Sequence, residues 1–308
     1  QLTLLLIDSA GFQIYTTKSN ILIWKLKTNS LTRLLCKIKK YMPQILQTHS
    51  TKLAANAAHS QKGSPLFSVI LPVTTEDSLE TFELCLKSIF SQTCKDLILF
   101  IILTGKNREQ HLKLIDTTIE NEVACHVYCS EQKLSAAEAR NSLVSIESQA
   151  KYLAFIDSDD QWLPHHLANF KLGYSGLDSI FYMCDFYKGK ANNSSSLVVV
   201  HFKKSPASLI DLIRQPVLLS SVITDVRDVL FEEIKAEDFV YCDKLIKTAG
   251  TIIHCKTPSV IYDTTNTSKK PLIYKMRRTY GVLYKITGNH FQSGVLWIIY
   301  CLFRQIRA

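Results

Sequence analysis

Asp157, Ser158, Asp159 and Asp160 put three carboxylates into four consecutive residues. Acids this close repel one another, which pushes their pKa values upward. A hard divalent cation relieves that repulsion, and magnesium or manganese prefers carboxylate and phosphate oxygens. The same residues also suit a solvated acidic turn that caps the next helix, because Pro164 fits a first helical turn. Before them stands a short apolar run, Tyr152 to Ile156, bounded by charge and too short for a helix. It reads as a buried strand with the acids at its carboxyl end, the end that lines the ligand crevice of an open α/β sheet. A second acidic pair, Glu237 and Asp238, opens a predicted helix that runs through Lys247 and closes at Gly250. There the acids can complement the helix dipole or do chemistry of their own.

The elements that must position these acids follow from the apolar pattern. Phe67 to Val73 reads as a strand with Pro72 near its end. Asp77 is expected to cap the following helix, with Glu80 reaching back to it. Phe82, Leu86 and Ile89 share an apolar face of that helix. Leu97 to Leu103 is a second buried strand, stopped by Thr104-Gly105-Lys106-Asn107. A helix bearing Leu112 and Ile115 and a strand over Val123 to Cys129 follow. Ser135 and Glu138 form a capping box for a helix that carries Arg140 and Asn141. Beyond the acids, the runs at 179–186 and 197–202 suggest a hairpin, and Val217 to Thr224 a further strand. Strands alternating with helices make this an α/β protein, with a mainly parallel central sheet and helices on both faces.

The two ends differ from the middle. In residues 1–64, Leu31, Leu34, Ile38, Met42 and Ile45 recur at helical spacing with Arg33, Lys37 and Lys40 off the stripe. Such a helix suits either a membrane surface or packing against the main domain. Residues 51–65 read as a linker. From about residue 269, Lys275, Arg277 and Arg278 precede the apolar run Gly294 to Phe303, which is too short to cross a bilayer. It suits an interfacial helix beside basic anchors or a buried helix with a basic flank. The expected organisation is an extension and linker over 1–64, a catalytic domain over 65–268 and a helical extension over 269–308.

A chain of 308 residues with 46% apolar composition can bury a large core. The net charge of +9 suits phosphate-bearing ligands or an anionic membrane surface. No zinc-finger spacing or Arg-rich recognition helix is present, so nucleic acid is not an expected partner. The nine cysteines are scattered, mostly in apolar runs, the pattern of reduced thiols in a cytosolic protein. Leu2 to Ile7 lacks a basic leader and is too short for a signal peptide. Gln1 in place of Met suggests a fragment or a processed product.

In order and separation, several stretches resemble glycosyltransferase family 2, the inverting GT-A enzymes that use nucleotide sugars. They are Phe67 to Val73, Leu86 to Thr93, Glu138-Ala139-Arg140-Asn141, Asp157-Ser158-Asp159-Asp160 and Glu237-Asp238. The resemblance spans about residues 66–265 and implies the GT-A (nucleotide-diphospho-sugar transferase) fold. It matches Asp157 and Asp159 to the family's Asp-x-Asp motif, so that they would hold Mg2+ or Mn2+ on the donor diphosphate. It matches Asp238 to the catalytic base, supported by Glu237. It places Pro72, Val73, Thr74, Thr104, Arg140, Asp157 and Ser158 at the nucleotide sugar. Trp162 follows the acids and suits either a platform for a sugar ring or the core.

Two departures stand out. The family's usual Asp-Asp-Gly-Ser after the second strand is Leu103-Thr104-Gly105-Lys106 here, and its Tyr-Asn after the first strand is Thr74-Thr75. The Gln-x-x-Arg-Trp signature of processive synthases is absent. The resemblance thus implies transfer of a single sugar from a nucleotide-diphosphate sugar to a glycan or lipid-linked acceptor, in cell-surface polysaccharide synthesis. The location implied is the cytoplasm, with peripheral contact at the inner face of the plasma membrane through the basic helical ends. The alternative is an inactive GT-A-fold binding or scaffolding subunit with decayed nucleotide recognition.

Overall fold

The computed structural model describes residues 64–119, 123–146, 150–190, 194–234, 236–265 and 272–306, together with the backbone of four short strands before them. The chain divides into two compact units, Gln1–Pro43 and Gln44–Ala308. In the first, β1 (Thr3–Ile7), β2 (Phe12–Thr17) and β3 (Asn20–Ile23) form an antiparallel sheet. The expected helix around residues 31–46 and most of the 51–65 linker lie outside the described residues.

The second unit opens with β4 (Gln47–His49) and β5 (Phe67–Thr74), then α1 (Leu79–Phe90), β6 (Leu97–Thr104) and α2 (Glu109–Thr118). β7 (Ala124–Ser130), α3 (Ala136–Ile146), β8 (Tyr152–Phe155), β9 (Gln161–Trp162) and α4 (His166–Tyr174) follow. Then come β10 (Ile180–Gly189), β11 (Val198–Val200), α5 (Leu209–Arg214), β12 (Ile223–Thr224), α6 (Glu237–Thr248) and β13 (Thr251–Asp263). α7 (Leu272–Thr287) and α8 (His290–Ile306) close the chain.

One sheet runs in the order β4-β7-β6-β5-β8-β12-β10-β13-β9, with β11 added to β10. β7, β6, β5 and β8 are mutually parallel, as the strand–helix alternation predicts. β6 is buried at every residue, as a strand covered on both faces must be. β12 then runs antiparallel to both β8 and β10, so β8 and β10 point the same way. The predicted hairpin is β10 with β11. Of the strand expected over Val217 to Thr224 only Ile223 and Thr224 pair; Leu219–Ser221 form a 3-10 turn.

Successive strand residues face opposite sides of a sheet, so Tyr152 and Phe155 of β8, three residues apart, point to opposite faces. Tyr152 meets Phe67 and, edge-on at 4.8 Å, Phe170 of α4. Phe155 meets Phe231 and Tyr241, whose rings stack at 3.8 Å, beneath α6. The sheet thereby fixes the carboxyl end of β8 between helices on both faces. The acids emerge there.

Candidate active site

The parallel register sets one level for the crevice. Thr74 pairs with Thr104, and Thr104 with Ser130, so the loops after β5, β6 and β7 leave together. Ile156 donates to the Ile70 carbonyl at 3.2 Å, which starts the acidic turn beside Pro72. Asp160 N closes that turn on the Asp157 carbonyl at 3.0 Å.

Each acid has a separate environment. The Asp157 Oδ1 accepts from Arg140 Nη2 at 2.5 Å, and the carboxylate keeps about a third of its surface open. Asp159 is half-buried, and burial followed by the charge of Asp157 pushes its carboxyl up to about 6. Asp160 is buried, accepts from the Ser220 hydroxyl at 2.5 Å and from the Asp263 amide at 3.3 Å, and is held well above the usual carboxylate range by desolvation and by Asp157. Asp160 is therefore part of the scaffold, while Asp157 and Asp159 keep part of their surface open.

α6 brings in the second pair. Arg140 is buried on α3 and donates through Nη1 to Glu237 at 3.0 Å while Nη2 holds Asp157. Burial opposes the guanidinium charge, yet Asp157 and Glu237 more than offset it and hold Arg140 above its ordinary range. Its neighbour Asn141 fixes the approach to α6 by accepting from the Phe231 amide and donating to the Phe231 carbonyl, both at 2.9 Å. Arg140 also lies over the Phe231 ring at 5.2 Å. Asp238 follows Glu237 into this site, and burial together with the Glu237 charge raises its pKa. Ala236, just before the helix, has a φ of 64°, a left-handed conformation that a side chain resists.

Other expected site residues are placed differently from one another. Pro72 and Thr74 sit half-buried at the tip of β5, whereas Val73 is buried. Thr104 is buried with its hydroxyl on the Val73 carbonyl, so its side chain is turned into the sheet. Ser158 is turned inward onto Asp77 at 2.7 Å. Trp162 does not fit a sugar platform. It is 2% exposed, donates its indole N–H to the Ser220 carbonyl and stacks on His166 at 4.7 Å. Asp77 is likewise not the helix cap. Ser78 caps α1, and Asp77 instead accepts from the Thr74 amide and hydroxyl and from Ser158. The expected capping box on α3 is present, with Ser135 N on Glu138 at 2.9 Å and Glu138 N on Ser135 at 3.2 Å.

Ser220 carries no local signal in the sequence, and Asp77 carries one only for a helix cap. Ser220 accepts from the Asp157 amide as it donates to Asp160, so one hydroxyl ties the two ends of the acidic turn. Gly105 at φ 109° lets the loop after β6 approach Thr75, where an added Cβ would lie 2.4 Å from the Thr75 hydroxyl. The turn that lacks the expected acids thus closes tightly against the loop after β5.

The donor set suits a hard divalent cation. Asp159 offers carboxylate oxygens, and burial followed by the charge of Asp157 raises its pKa, a cost that a bound cation would offset. Among the described residues no group of three or more His, Cys, Asp and Glu side chains is arranged to enclose a metal. Two carboxylates would have to share such an ion with oxygens of a ligand, which is how magnesium is commonly held.

Residues 68–195 match the family model described as "Glycosyl transferase family 2". No curated protein matches the chain significantly in sequence. The fold is similar to that of S. aureus TarS, solved in complex with UDP-GlcNAc, at 17% identity and a TM-score of 0.56, covering 77% of this chain and 71% of that one. The same protein in complex with UDP gives 0.54. The mannosyltransferase PcManGT from Pyrobaculum calidifontis, solved in complex with GDP-Man and Mn2+, aligns at 11% identity and a TM-score of 0.50, covering 89% of this chain and 83% of that one. At these identities the likeness is one of fold, and the fold is GT-A.

Proposed function

We propose that the chain, whose residues 68–195 match the glycosyl transferase family 2 model, is a metal-dependent inverting enzyme that moves one sugar from a nucleotide-diphosphate sugar to a hydroxyl of a glycan or lipid-linked acceptor. The observation that carries this reading is the Arg140 bridge, which ties the acid at the end of β8 to the acidic pair at the start of α6. Solved relatives of the same fold bind UDP-GlcNAc and GDP-Man, the latter with Mn2+. The proposed domain limits are 65–268 for the transferase, with 1–64 and 269–308 as extensions. The proposed setting is surface-polysaccharide synthesis at the cytoplasmic face of the plasma membrane.

In this mechanism Asp157 and Asp159 would be the residues that hold the divalent ion. The ion, when bound, offsets charge on the departing nucleoside diphosphate. Asp238 accepts the proton of the acceptor hydroxyl as that oxygen bonds to the anomeric carbon and the bond to the diphosphate breaks. Its raised pKa suits a base that must bind a proton in the transition state. A single displacement of this kind inverts the anomeric centre. Glu237 keeps Arg140 in place and so positions Asp157. Pro72, Thr74 and the backbone at Val73 and Thr104 would border the nucleotide.

A thermal-shift screen of nucleoside diphosphates and their sugars, with and without manganese, tests this reading. Ligands that bind only the folded state raise the melting temperature by mass action. Manganese-dependent stabilisation by one nucleotide supports the transferase and names its base. A folded protein that responds to none would point to a non-catalytic relative, with recognition lost at the Leu103 to Lys106 turn.

A further inference from the structure

The last two helices present a surface that the sugar-transfer site does not use. α7 and α8 pack on each other across Gly288 and Asn289. So short a link makes them an antiparallel pair. Gly288 at φ 65° donates to the Tyr284 carbonyl at 2.8 Å to end α7. Asn289 Oδ1 then accepts from the Phe291 and Gln292 amides to start α8. One face of α8 is covered: Leu296, Trp297 and Tyr300 join Ile213 and Leu283 in a small core of their own.

The opposite face is apolar and open. Phe291 is 80% exposed, Ile298 and Leu302 each 54% and Val295 44%. At about 100° per residue these four side chains fall within an arc of roughly 60°, one continuous stripe along the helix. Tyr284 of α7 is also exposed and stacks on His290 at the start of α8. Contiguous apolar surface of this kind marks an interaction face, unlike scattered single residues.

Charge identifies what covers it. Residues 272–306 contain no Asp or Glu, yet carry Lys275, Arg277, Arg278, Lys285 and Arg304. Lys285 reaches Glu232 at 3.3 Å and remains half-exposed. A second copy of the chain would add another basic segment and no acid from its own helix pair. An anionic lipid surface complements both properties, because it offers negative headgroups above an apolar layer. No helix among the described residues is long and apolar enough to cross a membrane. A helix lying in the interface plane needs no such length.

We propose that the outward face of α8 docks on an anionic bilayer, with Phe291, Val295, Ile298 and Leu302 at the acyl boundary and the net positive charge of residues 272–306 favouring negative headgroups. This docking stands apart from sugar transfer and holds whatever the acceptor proves to be.

Co-sedimentation of the full chain with vesicles tests it, using phosphatidylcholine alone and phosphatidylcholine mixed with one third phosphatidylglycerol. The wild-type chain should sediment with the anionic vesicles and far less with the neutral ones. Phe291→Asp combined with Ile298→Asp should lower that binding about tenfold or more, with the far-UV spectrum and melting temperature unchanged. Phe291→Trp keeps the apolar bulk, so it should bind as the parent does and shift its emission to the blue on the vesicles. Absence of binding by the wild type, equal binding to neutral vesicles, or undiminished binding by the Asp variant would each overturn the proposal. So would a lipid-free dimer that Phe291→Asp dissolves, since the face would then belong to a second copy.

Discussion

Arg140 Nη1 lies 3.0 Å from Glu237, joining the middle of α3 to the first turn of α6 across 97 residues of sequence. The other terminal nitrogen of the same guanidinium, Nη2, holds Asp157. One buried cation therefore sets the distance between the proposed metal ligands and the proposed base. Arg140→Met would leave two carboxylates without their partner. Removing one member of a buried ion pair costs about 3–5 kcal/mol. Urea unfolding should show a loss of that order, and Arg140→Lys, which lacks the planar fork, should recover only part of it.

Asp159 is expected to act against stability in the metal-free protein. Its folded pKa of about 6 exceeds the 3.8 of the free carboxyl, so the folded state binds the proton more tightly. Stability from this group is greatest below the lower value, falls as pH rises between the two, and is level above them. Asp159→Asn should thus stabilise the metal-free chain by about 1–2 kcal/mol at pH 7.5, after allowance for its partial exposure. At pH 3.5 the gain should vanish. Thermal melts at the two pH values check the sign. The same proton competes with a cation, so manganese-dependent nucleotide binding should strengthen as pH rises through 6.

Ala236 holds a left-handed conformation at the entrance to α6. For a residue with a Cβ this costs roughly 1–2 kcal/mol, and glycine avoids most of it. Ala236→Gly should raise unfolding free energy by up to about 1 kcal/mol. Unchanged stability would mean that the surrounding loop relaxes differently from the structure.

Where local pattern dominates, the sequence reads well. β5, β6, β7 and β8 are apolar runs cut by charge or turn residues, and they form the parallel half of the sheet. The Ser135–Glu138 box is legible because both partners lie within one helical turn. β13 gives no comparable signal. It contains Pro258, and its first half is mostly exposed or half-buried, so its thirteen residues lack an apolar period. The site divides in the same way. The acids of β8 and α6 announce themselves, but their relative placement rests on Arg140, Asn141 and Ser220, whose partners lie about 17 to 97 residues away. Asp77 shows how a plausible local role yields to a distant one. An acid before a helix looks like a cap, yet Ser78 takes that place and Asp77 anchors Ser158. Trp162 was equally suited by type to a sugar or to the core, and only packing against His166 and Ser220 decides it.

Donor binding and sugar transfer, measured side by side on Asp159→Ala and Asp238→Asn, test the central claim most directly. Calorimetry with manganese and the nucleotide found by thermal shift should show binding lost in Asp159→Ala and nearly intact in Asp238→Asn. Transfer should fall in both, by about a hundredfold or more in Asp238→Asn, as expected for loss of a general base. Transfer by Asp238→Asn at the parent rate, or donor binding by Asp159→Ala equal to that of the parent, would contradict the account.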